Sequence, residues 1–77
     1  MKIYLTIVQD RHVDPEAFPF STKDRAIARA LKIANMYSRK PSDIRVDKKP
    51  PLGWLYRVEY STEGDCAWVL EKELDAK

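Results

Sequence analysis

Ser21-Thr22-Lys23-Asp24-Arg25-Ala26-Ile27-Ala28-Arg29-Ala30-Leu31-Lys32-Ile33-Ala34-Asn35-Met36-Tyr37-Ser38 decides the fold class, because this stretch reads as the chain's single helix. No Gly or Pro interrupts it. Ile27, Ala30, Leu31, Ala34 and Tyr37 recur at i, i+3, i+4, i+7 and i+10, which makes one apolar stripe. Ala26, Ala30 and Ala34 leave room for a close approach to a sheet. Ser21 is the expected N-cap, and the charge of Asp24, three residues on, suits the first turn. Arg39 and Lys40 suit the C-terminal dipole, and Pro41 stops continuation. The helix is therefore expected over about residues 22–38.

Strand signals flank this helix. Ile3, Leu5 and Ile7 alternate with Tyr4, Thr6 and Val8, which predicts a strand over about residues 2–9 with Ile3, Leu5 and Ile7 facing the core. Asp10 to Pro15 reads as a turn. Phe18 and Phe20 share one side of a short strand, about 16–20, which Pro19 should confine to a sheet edge. Trp54, Tyr56, Val58 and Tyr60 alternate over about 54–60, and a last strand is expected over about 66–73. Ser61-Thr62-Glu63-Gly64-Asp65 reads as the turn of a hairpin. Its register is open between Ala67 and Val69, or Cys66, Trp68 and Leu70, beside Val58 and Tyr60. Residues 41–53, with Pro41, Pro50, Pro51 and Gly53, form an irregular loop in which Ile44 and Val46 allow a short extended piece. Residues 71–77 are charged and are expected to fray at their end.

The reading is one α+β domain spanning residues 1–77. An antiparallel sheet of about four strands, in the order ββαββ, carries one amphipathic helix across one face. The 77 residues leave space for only a thin core. Hydrophobic residues at 44% and charged residues at 34% are a globular balance. No apolar run approaches the ~20 residues of a membrane span. The opening Met1-Lys2-Ile3-Tyr4-Leu5 has no signal-peptide character, so a cytoplasmic protein without membrane contact is expected.

Residue chemistry argues against catalysis. Cys66 is the single cysteine, which excludes an internal disulfide and a cysteine-built zinc site. The lone His12, between Asp10 and Asp14, is a thin ligand set and reads as a turn residue. The serines are better explained as caps and turn residues than as partners of that histidine. Gly53 and Gly64 lie too far apart for a phosphate-cradling loop. No catalytic residue, metal or cofactor is expected.

Charge is distributed unevenly. From Lys23 to Lys49 nine basic residues face three acidic ones, a net of +6, while the remaining residues carry −4. Arg25, Arg29, Lys32, Arg39 and Lys40, extended by Lys48 and Lys49 of the loop, make a candidate nucleic-acid-binding surface. A helix resting on a sheet needs a polar outer face in any case. The second candidate is the sheet face that the helix leaves open. Tyr4, Arg57 and Trp68 are expected there, suited to stacking bases or to a protein partner or homodimer.

Lys2-Ile3-Tyr4 with Asp10-Arg11-His12, Gly53-Trp54, and Glu63-Gly64-Asp65 followed by Glu71-Lys72-Glu73-Leu74 resemble a group of short bacteriophage and prophage proteins of ββαββ layout. The resemblance spans most of the chain. The group carries no established activity, so the resemblance implies a setting more than a function: an accessory phage protein, a kind that often binds nucleic acid or host factors and in some cases blocks host defence systems. It brings no catalytic residues. The leading expectation is a small non-catalytic binding module for nucleic acid, and the alternative is a module for protein interaction.

Overall fold

The computed structural model describes residues 1–50, 53–62 and 64–73. Five strands and one α-helix make an α+β domain: β1 (Lys2–Gln9), β2 (Glu16–Phe20), α1 (Lys23–Tyr37), β3 (Arg45–Asp47), β4 (Tyr56–Glu59) and β5 (Cys66–Glu73). All pairings are antiparallel, in the order β2-β1-β5-β4-β3. The expected fraying beyond Glu73, and the parts of Pro51 and Glu63 in their turns, lie outside the described residues.

The sheet has five strands rather than about four. Pro41 to Asp43 form a 3-10 turn, Ile44 packs against the core, and Arg45 to Asp47 then pair with β4. The segment expected to be irregular thus supplies an edge strand with Val46 opposite Val58. Lys40 is extended, as a residue before proline prefers, so the helix cannot run on.

Thr22, not Ser21, caps α1: its hydroxyl accepts from the Arg25 N–H at 3.3 Å. Asp24 sits in the first turn, and Ser38 closes the helix by donating to the Ala34 carbonyl at 2.9 Å. Arg39 and Lys40 follow this cap and lie outside the last turn. Ala26, Ala30, Ile33 and Ala34 are buried, while Ile27 and Leu31 pack at the margin and Tyr37 is exposed. The buried stripe is therefore rotated toward Ile33.

The faces of β1 are the reverse of those expected. Tyr4, Thr6 and Val8 lie under the helix, and Ile3, Leu5 and Ile7 face away. Pairing fixes this: Thr6 opposes Val69 and Val8 opposes Ala67, all four buried, whereas Leu5 opposes Leu70 and Ile7 opposes Trp68. Both faces of β1 are apolar, so alternation identifies a strand without saying which side is inward. Small residues decide it. Ala26, Ala30, Ala34 and Ala67 are all 0% exposed, and the helix comes close enough for the Thr6 hydroxyl to donate to the Ala26 carbonyl at 2.7 Å. Thr6→Val keeps the shape but removes that donor. Its expected cost is about 1 kcal/mol, read as a lower urea midpoint at unchanged slope.

In the hairpin, Ala67 opposes Val58 and Val69 opposes Tyr56, so these four line the core. The connection is longer than either a two- or three-residue loop. The Tyr60 N–H donates to the Asp65 carbonyl at 3.0 Å, and Gly64 takes a positive φ of 92° in the turn. Trp54 leaves the alternation expected of it, because β4 begins only at Tyr56. Gly53, at φ 81°, precedes it.

Candidate functional site

Residues paired across an antiparallel sheet share a face. The strand registers therefore define the face opposite α1. Ala17 and Pro19 come from β2, Ile3, Leu5, Ile7 and Gln9 from β1, and Cys66, Trp68, Leu70 and Lys72 from β5. Arg57 and Glu59 of β4 and Arg45 and Asp47 of β3 complete it. Among the described residues no second layer covers this side. Its centre is apolar: Ile3, Leu5, Ile7, Trp68 and Leu70 are each half-buried, and Ala17 and Pro19 are exposed.

One end of the face is ordered by an aromatic cluster. Trp54 packs on Trp68 with ring centroids 4.6 Å apart, and the Arg57 guanidinium lies 4.9 Å from the Trp68 ring centroid. The Trp68 indole N–H donates to Gln9 Oε1 at 3.1 Å, and Arg57 pairs with Glu59. Cys66 is buried in this cluster, and burial pushes its thiol pKa up, away from the reactive thiolate. A shallow groove of about 450 Å³, lined by Ile7, Gly53, Trp54, Leu70, Glu71 and Lys72, runs beside the rings.

Arg57 and Trp68 thus occupy the open face expected of them. Tyr4 does not: it lies on the helix side, opposite Phe20, packed against the core. The residues that sequence reasoning missed are Ile3, Leu5 and Ile7, which it assigned to the core, and Trp54. The available signal was Thr6, whose hydroxyl could lie inward only beneath a close helix.

The basic residues come from three places: a flank of α1, the turn after it and the segment after β3. Arg25, Arg29 and Lys32 share a helix flank, but the Arg29 guanidinium lies over the Phe18 ring, 4.5 Å from its centroid. Arg25 and Lys32 remain exposed. Arg39 lines a cleft of about 180 Å³ with Asp10, Asp43 and Asp65, acidic company that disfavours a phosphate. Lys40 precedes β3, whereas Lys48 and Lys49 follow it, so these exposed lysines lie toward opposite ends of that strand.

The same cleft holds a polar latch. Tyr60, buried at the end of β4, donates its phenol to Asp10 Oδ2 at 2.6 Å, and Asp10 Oδ1 accepts from the His12 N–H at 2.7 Å. Asp65 accepts from the Arg11 N–H at 3.1 Å and from the Ser61 hydroxyl at 2.9 Å. Burial alone would raise the Asp65 pKa. These two hydrogen bonds, with the charges of His12 and Arg11, outweigh it and hold the carboxyl below its ordinary value. Ligand atoms of Asp10, His12 and Asp65 lie within 4.8 Å of one another. Hydrogen bonding between the two loops accounts for this convergence of the carboxylates.

No helix among the described residues is long and apolar enough to cross a membrane. Compared with known proteins, the chain matches no family model, no curated protein and no solved structure.

Proposed function

We propose that this chain is a non-catalytic protein-interaction module that works through the sheet face opposite α1, over which no second layer lies among the described residues. One observation carries the reading: Ile3, Leu5, Ile7, Trp68 and Leu70 form a continuous apolar area on the side without a helix. A half-buried apolar area of this kind suits a docking surface. Its breadth and shallow groove suit another protein more than an enclosed small molecule. Nucleic-acid binding has weaker support, because its cations are divided among a helix flank, an acidic cleft and a loop. The setting that the phage resemblance implies, an accessory protein acting on a partner, accords with this reading.

Both tryptophans of the chain, Trp54 and Trp68, belong to this face, so native fluorescence reports on it. Dilute protein is expected to bind the apolar dye bis-ANS and to show acrylamide-quenchable tryptophan emission. Leu5→Lys should abolish dye binding, while Arg25→Glu with Lys32→Glu should not. A native protein that takes up no dye contradicts the reading. So does tight binding to random-sequence DNA or RNA that falls steeply with salt and is lost in the helix double variant.

A further inference from the structure

We propose that the surface docked on this face is a second copy of the same chain, packed sheet to sheet about a two-fold axis. The proposal rests on the docking-face reading above and names its occupant. Charge is the first argument. The open face carries Arg45, Arg57 and Lys72 against Asp47 and Glu59, and Arg57 is already paired with Glu59. Both signs sit together on the β4–β3 flank, and the β1–β5 centre holds no charge between Ile3 and Trp68. With the two-fold axis across the strands, a copy meets the apolar centre with its own apolar centre and the mixed-sign β4–β3 flank with the same flank. The chain's net charge of +2 opposes association only weakly. An acidic or strongly basic partner would find no matching field here.

The edges of the sheet supply the second argument. Strand-to-strand addition needs a long free edge, but β2 carries Pro19 and β3 is three residues long, followed by Lys48 and Lys49. Proline, short length and lysine each disfavour edge pairing. Self-association is thereby directed to the face, where two sheets stack about 10 Å apart with strands near −30°.

Area then sets the strength. At about 3.3 Å per residue and 4.8 Å between strands, the five strands cover about 450 Å² of flat sheet. Two such faces bury about 1,000 Å² once side-chain relief is counted, the lower limit for a specific interface. The dimer is accordingly weak, with a dissociation constant on the order of micromolar to tens of micromolar.

Sedimentation equilibrium on the full chain, from about 1 to about 500 µM, brackets that range. The expected result is a mass rising from monomer to dimer, with a parallel blue shift of tryptophan emission and loss of acrylamide quenching. Leu5→Lys should weaken association at least tenfold. Ala17→Arg, an exposed position on the same face, should weaken it too and carries little risk to folding. Met36→Lys, on the exposed side of the helix, should dimerise like the parent. Far-UV circular dichroism establishes that each variant is folded. A parent that stays monomeric throughout overturns the proposal, and so does a dimer lost in Met36→Lys but kept in Ala17→Arg. If that monomer binds bis-ANS through the face, the second copy is excluded and the docking face stands. If it binds none, both readings fall.

Discussion

Tyr60→Ala is expected to remove most of the stability of the fold. The ring is 2% exposed, stands against Tyr37 at 6.0 Å and belongs to the central core cluster. Removing a buried aromatic ring costs about 3–5 kcal/mol. A domain of this size holds only about 5 kcal/mol in total, so little would remain. Asp10 would also lose the phenol that donates to it. Far-UV circular dichroism during a urea titration gives the measurement, and a midpoint close to that of the parent would contradict the prediction. Tyr60→Phe separates the hydroxyl from the ring, with an expected loss of about 1–2 kcal/mol.

The phenol also carries a pH signature. Burial, then the hydrogen bond to Asp10 and the charges of Asp10 and Asp65, push the Tyr60 pKa far above its ordinary value of 10. A raised folded-state pKa stabilises fully below the unfolded value and loses that stabilisation as pH climbs toward the folded value. The parent should therefore weaken above about pH 10, and Tyr60→Phe should weaken less steeply. Burial of Tyr56 acts in the same direction and persists in that variant.

Asp65→Asn is the second large effect. Asp65 is 3% exposed, and its two oxygens accept from Arg11 N–H and Ser61 hydroxyl. An asparagine offers one acceptor and must aim its NH2 at the other donor. The expected loss is about 2 kcal/mol at neutral pH. The sign of the acid dependence follows from the lowered pKa. Stabilisation is complete above the ordinary value of 3.8 and disappears as pH falls through the lower folded-state value. Thermal melts at about pH 7 and about pH 3 should show the parent losing its advantage on acidification, while the variant declines less. Equal declines would remove Asp65 from the account.

The legible parts of this fold were those in which one local pattern dominates. The helix shows itself because Ala26, Ala30 and Ala34 recur without a breaker. Pro19 marks β2 as an edge because it lacks a ladder donor. Strand β3 was harder, since three residues between Pro41 and Pro50 give no periodic signal of their own, and Val46 gains meaning only opposite Val58. The orientation of β1 was hidden for a different reason. Ile3, Leu5 and Ile7 outweigh Tyr4, Thr6 and Val8 in hydrophobicity. What chose the inward side was the room that Ala67, Ala26 and Ala30 leave around Thr6, a tertiary property. That inversion also moved the candidate site, placing three supposed core residues on the sheet face opposite α1. The Asp10–Tyr60 contact joins positions 50 residues apart and was beyond any local reading.

Strand order has a consequence for assembly on the ribosome. The centre of the sheet is the β1–β5 ladder, which joins Lys2 to Glu73 and Val8 to Ala67. Within this domain β1 must wait for β5 before it gains its main partner. Until then β1 can pair only with β2, and α1 has half a sheet to rest on. A nascent chain stopped before Cys66 would hold an unsatisfied hairpin and an exposed Ala-rich helix. Contacts of such long sequence separation place folding in the millisecond-to-second range. Folding of this domain is thus deferred until β5 has emerged.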